Sequence, residues 1–220
     1  LSEMTNMTEL RLGSNQISDI GSLSGMLNMK TLHLYENQIS NISPLSGMTN
    51  MENIAIYDNK IIDISPLSGM RNVSSFTLSI NQISDISPLS GLTNLTRLDL
   101  SKNQINDISP LSGLTKLTNL NLRINQIIDI SVLANLINLK GLIISYNQIA
   151  NINSLHGLTD LEMLWIEANQ INDISTLVNN SGIGNGDEVS LTDNPLNTTS
   201  CTQHIPTLES RGVTVTHSCP

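Results

Sequence analysis

The sequence predicts an α/β solenoid, curved like a horseshoe, with a parallel β-sheet on its concave side and 3₁₀ turns on its convex side. An asparagine recurs every 22 residues, and apolar residues keep a fixed spacing around it. The core is expected to consist of Leu and Ile, because 39% of the 220 residues are apolar and only 2% are aromatic. The repeated asparagines are Asn15, Asn37, Asn59, Asn81, Asn103, Asn125, Asn147 and Asn169.

Each unit begins with a strand and a corner. Around Leu98 and Leu100 apolar and polar residues alternate, which is the pattern of a strand with one buried face. Strands of successive units are expected to stack in parallel. The chain then turns at the asparagine, here Asn103, whose amide can bond backbone groups of its own and neighbouring turns. The asparagines should therefore form a buried ladder.

The outer part of each unit is short. In the unit of Asn103, Ile105 and Ile108 continue the apolar pattern and a Ser-Pro-Leu segment follows. Proline in the first turn of a short helix removes no needed hydrogen-bond donor. Because 22 residues leave little room for an α-helix, we expect 3₁₀ turns and extended chain here. The prolines at this place are Pro44, Pro66, Pro88 and Pro110.

A column of acidic residues accompanies the repeats and permits two interpretations. Stacked carboxylates could attract cations. Alternatively, each side chain accepts backbone N–H groups of the following turn, and the interchange of Asp with Asn favours this structural role. The column comprises Asp19, Asn41, Asp63, Asp85, Asp107, Asp129, Asn151 and Asp173.

The unit L-x-x-L-x-L-x-x-N-Q-I-x-D-I-x-P-L-x-x-L, seen in Leu95 to Leu114, resembles the 22-residue leucine-rich repeats of internalins and related bacterial surface proteins. The resemblance extends over about 170 of the 220 residues. It implies a curved solenoid whose concave sheet binds another protein. Internalins proper continue into an immunoglobulin-like region, which this sequence does not contain, so a host-receptor role is not carried over.

We divide the chain into a solenoid of eight units over residues 1–180, the N-terminal unit being partial, and a final irregular repeat with a C-terminal cap over 181–220. The ninth unit arrives three residues late, after a glycine-rich string between Asn180 and Asp187. This string lacks the lysine of a phosphate loop and the acidic spacing of a calcium loop. We interpret it as a flexible loop leading into the cap, where a short helix and an edge strand follow.

The two cysteines, Cys201 and Cys219, lie in the last twenty residues. We expect a disulfide that clasps the cap. A metal site with the nearby His204 and His217 is the less favoured alternative, because these residues form no close-spaced ligand pair.

The N-terminal end matches the second half of a unit, since residues 1–7 align with residues 45–51. We therefore expect a fragment of a longer protein. The alternative is that this uncapped end meets a partner, including a second copy of the chain.

Composition and spacing argue against several classes of function. A net charge of −9 disfavours nucleic acid, and no apolar run approaches the roughly 18 residues that a membrane-inserted helix needs. The four histidines lack a matched nucleophile or metal-ligand spacing. We expect neither an enzyme nor a bound cofactor or metal.

The exposed side of the concave strands is the candidate binding site. Residues flanking the inward apolar positions should be exposed, for example Gly141, Ile143 and Ser145. Aromatic residues concentrate there, whereas Phe76 occupies an inward position; Tyr35 and Tyr57, in adjacent units, should be neighbours. Met163, Trp165, Ile143 and Tyr146 should form a second apolar group, and exposed aromatics with Arg are typical of binding hot spots. The candidate ligand-binding residues are His33, Tyr35, Tyr57, Arg97, Asp99, Arg123, Ile143, Tyr146, Met163, Trp165 and Glu167.

These features favour a secreted or cell-surface recognition module that binds a protein, or alternatively a glycan, on its concave face. One competing hypothesis is a structural subunit of a surface layer or filament. Another is an intracellular scaffold or regulatory subunit, which the cysteine pair disfavours because cytosolic disulfides seldom persist.

Overall fold

A computed structural model describes residues 4–219 of the chain. Ten short strands form one parallel sheet in which each strand pairs with the next one in the sequence. The predicted α/β horseshoe solenoid is therefore confirmed. The strands are β1 (Glu9–Arg11), β2 (Thr31–His33), β3 (Asn53–Ala55), β4 (Ser75–Thr77), β5 (Arg97–Asp99), β6 (Asn119–Asn121), β7 (Gly141–Ile143), β8 (Met163–Trp165), β9 (Glu188–Ser190) and β10 (Thr214–Thr216).

The convex side consists of 3₁₀ turns in seven successive units, as the short repeat predicts. Where proline is present it occupies the first turn, and the following leucine is buried. The eighth unit has a short helix, α1 (Ser175–Asn179), in place of the turn. The 3₁₀ segments are Gly21–Leu23, Ser43–Leu45, Ser65–Leu67, Ser87–Leu89, Ser109–Gly113, Ser131–Asn135 and Asn153–Leu155.

The core is a continuous column of apolar side chains between the sheet and the turns. Leu98 and Leu100 are buried together with Ile105, Ile108 and the leucine of the turn. Methionines Met26, Met48 and Met70 occupy a core position that later units fill with leucine. Since methionine and leucine have similar volumes, this exchange conserves the packing along the solenoid.

The predicted asparagine ladder is present and extends over the neighbouring repeat. The amide nitrogen of Asn103 donates to the carbonyls of Leu100, at 3.0 Å, and of Leu78 in the preceding repeat, at 3.1 Å. Its oxygen accepts the N–H of Ile83, also in the preceding repeat, at 3.0 Å. Asn103 is 8% exposed. One side chain thus satisfies backbone groups of two consecutive repeats where water cannot reach them.

A second asparagine ladder, which the sequence reasoning did not anticipate, runs along the outer chain. Asn94 donates its amide to the carbonyl of Arg71 at 3.0 Å, and Asn138 makes the equivalent bond to Thr115 at 2.8 Å. Lys116 interrupts this ladder and donates instead to the Asn94 side chain at 2.7 Å. The further rungs are Asn28, Asn50 and Asn72.

The glycine-rich string after the eighth unit is held in place, contrary to the flexible loop we expected. Asn180 is fully buried and donates to the carbonyls of Leu155 and Leu158. A Cβ atom on Gly182 would lie 1.9 Å from the carbonyl oxygen of Thr159, so only glycine fits this close approach. The start of the loop is therefore attached to the outer chain of the seventh unit.

The cap consists of a π-helical turn (Ser200–His204), the helix α2 (Ile205–Ser210) and the edge strand β10. Ile205, Leu208 and Val213 are buried in the continuous core. Cys201 and Cys219 form a disulfide, as predicted, with their Cα atoms 5.7 Å apart. The predicted mid-repeat start includes residues 1–3, which lie outside the described residues. The boundary at residue 180 stays a prediction.

The ladder yields a stability prediction. Changing Asn103 to Ala should lower the free energy of unfolding by about 1–3 kcal/mol, because buried backbone groups of two repeats lose their partners. Changing the adjacent exposed Gln104 to Ala should cost under about 0.5 kcal/mol. Denaturant unfolding of the two variants measures the difference, and equal losses would contradict the role of the ladder.

The disulfide between Cys201 and Cys219 yields a second stability prediction. Replacing both Cys201 and Cys219 with Ser should lower stability by about 3 kcal/mol in the chain-entropy model, given a sequence separation of 18 residues. Thermal unfolding of the variant and of the reduced native protein should then coincide. Detection of two free thiols in the native protein by mass spectrometry would refute the clasp.

Candidate functional site

The predicted binding residues fall into three groups along the concave sheet, because residues 22 apart lie side by side on paired strands. We call them the aromatic stack (His33, Tyr35, Tyr57), the central trough (Arg97, Asp99, Ile143, Met163) and the C-terminal cluster (Arg123, Tyr146, Trp165, Glu167). Phe76 is buried, as expected from its inward position.

The aromatic stack confirms that Tyr35 and Tyr57 are neighbours. Their ring centroids are 4.8 Å apart with an interplanar angle of 2°, and the ring of His33 lies 6.0 Å from that of Tyr35. A Cβ atom on Gly13 would lie within 2.4–2.7 Å of the Tyr35 ring, so the ring packs over a position that only glycine leaves free. The stack is therefore built into the sheet surface.

The electrostatics of the aromatic stack are acidic. Burial raises the pKa of the Tyr57 hydroxyl, and the neighbouring Glu36, Tyr35 and Asp58 raise it further. The phenol consequently stays a neutral hydrogen-bond donor and acceptor through the physiological pH range.

The central trough combines polar and apolar side chains and has a glycine in its floor. Arg97 and Asp99 line it together with Asn119, Ile143 and Met163. A Cβ atom on Gly141 would lie 2.7 Å from the amide nitrogen of Asn119 and 3.3 Å from the Met163 methyl group. Gly141 is buried under these two side chains, which corrects our expectation that it is exposed.

The C-terminal cluster combines a cation, two aromatic rings and a carboxylate. The guanidinium carbon of Arg123 lies 4.8 Å from the centroid of the Tyr146 ring, within the range of a cation–π interaction. Tyr146 is 47% and Trp165 38% exposed, and both line a depression with Ile143. Met163 lies in the central trough instead, so Ile143 is the link between the two groups.

Ser145 differs from our expectation. We expected it to be exposed, but it is 1% exposed, and its hydroxyl donates to the carboxylate of Glu167 in the next repeat. Glu167 therefore covers Ser145, and a position that flanks an inward residue is buried by a longer neighbouring side chain.

Sequence reasoning missed one column of the concave rim. The residue before each ladder asparagine has a left-handed backbone conformation, with φ between 49° and 58°. Left-handed conformations cost L-residues roughly 1–2 kcal/mol each and are unusual for β-branched residues. These rim residues are Ser14, Glu36, Asp58, Ile80, Lys102, Ile124, Tyr146, Ala168 and Asp193. The constant position before the asparagine was the signal that could have revealed them.

The acidic column makes turns. The Oδ1 atom of Asp107 accepts the backbone N–H of Ser109 at 2.8 Å, and Asn151 makes the same bond to Asn153 at 2.9 Å. The same contact is present at all eight positions of the column. The structural interpretation is therefore confirmed. In residues 4–219 no group of three or more His, Cys, Asp or Glu side chains is placed to hold a metal ion.

Comparison with known families decides the family of the chain. The family described as Leucine Rich repeats (2 copies) matches residues 5–47, 27–69, 71–113, 93–135 and 137–179. The chain belongs to the leucine-rich-repeat family. No curated protein matches the sequence significantly.

Solved structures place these leucine-rich repeats in the internalin type. An internalin, InlF, from Listeria monocytogenes is 33% identical with a TM-score of 0.83; the match covers 99% of this chain and 71% of InlF. Internalin C2 from the same organism is 32% identical with a TM-score of 0.79, covering 89% of this chain and 84% of that one. The internalin resemblance of the sequence is confirmed.

A more distant structure shares the leucine-rich-repeat fold. The ectodomain of the plant membrane receptor kinase GASSHO1/SCHENGEN3 from Arabidopsis thaliana, in complex with CASPARIAN STRIP INTEGRITY FACTOR 2, is 20% identical with a TM-score of 0.78. The match covers 96% of this chain and 27% of that one. Between residues 4 and 219, no helix of the leucine-rich-repeat chain combines the length and hydropathy needed to cross a membrane.

The acidic column predicts a specific pH dependence. The backbone N–H and then the hydroxyl of Ser109 lower the pKa of Asp107 below its ordinary value of 3.8. A lowered folded-state pKa gives stability that is present above 3.8 and is lost as the pH falls through the folded value. At neutral pH, changing Asp107 to Ala should lower the melting temperature, whereas changing it to Asn should not. The Asn variant should also lose less stability than the native protein between pH 7 and about pH 2.5.

Calcium provides the control. If the column bound cations, added calcium would raise the melting temperature of the native protein more than that of the Asp107→Asn variant. Equal curves with and without calcium support the turn role.

Proposed function

We propose that this leucine-rich-repeat protein is a non-catalytic recognition module of the cell surface or the extracellular space, which binds a protein ligand on its concave face. The observation that carries the proposal is the presence of exposed aromatic rings on a surface that the core does not need. Trp165 and Tyr146 remain 38% and 47% exposed while the inward positions of β7 and β8 hold buried Leu142 and Leu164.

The energetics support a binding role for these rings. Burying a large apolar side chain is favourable by about 1.5–3 kcal/mol. The exposed part of each ring therefore represents burial free energy that becomes available when a partner covers it. Tyr, Trp and Arg are also the residues that carry most of the energy of protein interfaces. The C-terminal cluster supplies all three within one depression.

The related structures and the disulfide support a location outside the cytosol. The internalin type is typical of bacterial surface proteins, and the plant receptor ectodomain of the same fold was solved in complex with CASPARIAN STRIP INTEGRITY FACTOR 2. A disulfide such as Cys201–Cys219 persists in oxidising environments outside the cytosol. We therefore place the proposed interaction outside the cell.

The test requires a partner captured from a surface or secreted fraction on the immobilised protein and then purified. Changing Trp165 to Ala, or Tyr35 and Tyr57 together to Ala, should weaken binding at least tenfold, which corresponds to about 1.4 kcal/mol. The melting temperature of the Trp165 variant should barely move, because its ring is not part of the core.

Outer-face variants are the control. Ser112 and Thr115 are exposed on the convex side, and changing each to Ala should leave binding intact. If these changes abolish binding and the concave ones do not, the recognition site lies elsewhere. A glycan as ligand would show as binding that survives protease treatment of the partner and is lost after removal of its sugars.

A further inference from the structure

Two isoleucines of the rim stand in a backbone conformation that disfavours them. Ile80 and Ile124 have φ values of 55° and 56°. Branching at Cβ makes this left-handed conformation unfavourable, whereas Asn, Asp and Gly accept it. Asn or Asp would therefore suit both places better, and Asp58 and Asp193 fill equivalent ones.

The side chains of these isoleucines do not repay the strain through the core. Each is 37% exposed, while the apolar positions on either side of the corner are fully buried. Strained residues that the fold does not need are a sign of function at a surface. Lys102 lies between them on the rim, and at a strand spacing of about 4.8 Å the two isoleucines are about 10 Å apart.

Three cations belong to the two neighbouring repeats of β5 and β6, although the whole chain carries a net charge of −9. Arg97 lines the central trough, Lys102 lies on the rim, and Arg123 stacks on Tyr146. The ion pairs of lysine and arginine within residues 4–219 involve other cations, namely Arg11, Lys30 and Lys140. Two carboxylates also lie in this region, those of Asp99 and of Glu167, which lines the depression of Arg123. Both already accept hydrogen bonds, Asp99 from the N–H of Ser101 and Glu167 from the hydroxyl of Ser145.

We infer that Ile80, Lys102 and Ile124 of the rim form, with Arg97 and Arg123, one interaction surface for an acidic protein segment that carries a large apolar side chain. The apolar side chain packs between the two rim isoleucines, and the partner's carboxylates pair with the three cations. This inference rests on the proposed concave binding function and extends it by naming the chemistry of the partner and by adding the rim to the contact.

The charges along the concave side also determine the orientation of the bound segment. The rim near the aromatic stack carries Glu36 and Asp58, which would repel carboxylates. An acidic segment therefore lies with its charged part toward Arg97 and Arg123, away from β2 and β3. A basic segment would favour the opposite end.

Selection from a library of random twelve-residue peptides displayed on phage, with the full 220-residue chain as bait, tests the inference. The selected peptides should be enriched in Asp and Glu together with a large apolar residue. Affinity of the synthesised peptides should fall at least tenfold when NaCl is raised from about 0.05 M to about 0.5 M, because exposed charge pairs are screened.

Three double variants separate the contribution of the charges from that of the rim isoleucines. Arg97→Glu with Lys102→Glu should abolish peptide binding, whereas Lys60→Glu with Arg71→Glu, the same charge change at exposed sites elsewhere, should leave it unchanged. Ile80→Asn with Ile124→Asn should weaken binding at least tenfold while the melting temperature stays the same or rises. Loss of binding without loss of stability is the signature of a functional rim.

Other outcomes overturn the inference in distinguishable ways. Basic or uncharged peptides, no enrichment at all, or binding unaffected by the Arg97 and Lys102 reversal would refute the acidic partner. If such peptides still lose binding on Trp165→Ala, the concave recognition function stands and only its proposed chemistry fails. Peptides insensitive to every concave change would refute both. A stable dimer of the free chain that Arg97→Glu with Lys102→Glu dissociates would identify a second copy as the occupant and refute the acidic segment.

Discussion

The side-chain amide of the corner asparagine is the interaction on which the rest of the structure depends. At each corner the chain passes through a left-handed residue, and nearby backbone carbonyls turn toward the interior. The amide of Asn103 bonds these carbonyls and also reaches Leu78 and Ile83 in the preceding repeat. The same atoms meet in every unit, including the longer last one, where Asn194 bonds Ile166 and Ile171 in the same way. The ladder therefore fixes how successive corners stack, and the sheet, the turns and the core follow that stacking.

The asparagine ladder and the apolar core fill the interior. On the concave surface, small residues determine the shape as much as large ones do. Gly13 leaves the space that the Tyr35 ring fills, and Gly141 leaves the floor of the central trough, over which Asn119 and Met163 lean. The positions of the exposed rings and charges can therefore change from one repeat to the next without disturbing the ladder beneath them.

Most of the fold was predictable because it depends on a local period. The strand around Leu98, the turn at Pro110, the Asp107 contact and the neighbouring Tyr35 and Tyr57 all follow from residues 22 apart lying side by side. Features that depend on side chains of adjacent repeats were not predictable. Ser145 is buried because Glu167 covers it, and the contact of Arg123 with Tyr146 depends on a side-chain rotamer. The left-handed conformation of Ile80 and Ile124 lacks the usual signal of a glycine, and only their constant place before the ladder asparagine indicates it.

The amide's reach into only the adjacent repeat has a consequence for how such a chain can evolve. Gain or loss of one complete unit between Asn15 and Asn169 leaves every rung bonded to an equivalent neighbour. Such an event leaves the packing of the core unchanged, but it moves the aromatic stack relative to the C-terminal cluster by one strand spacing, about 4.8 Å. The distance between two contact points for a ligand is therefore adjustable in fixed steps by duplication or deletion, a form of variation that single substitutions cannot supply.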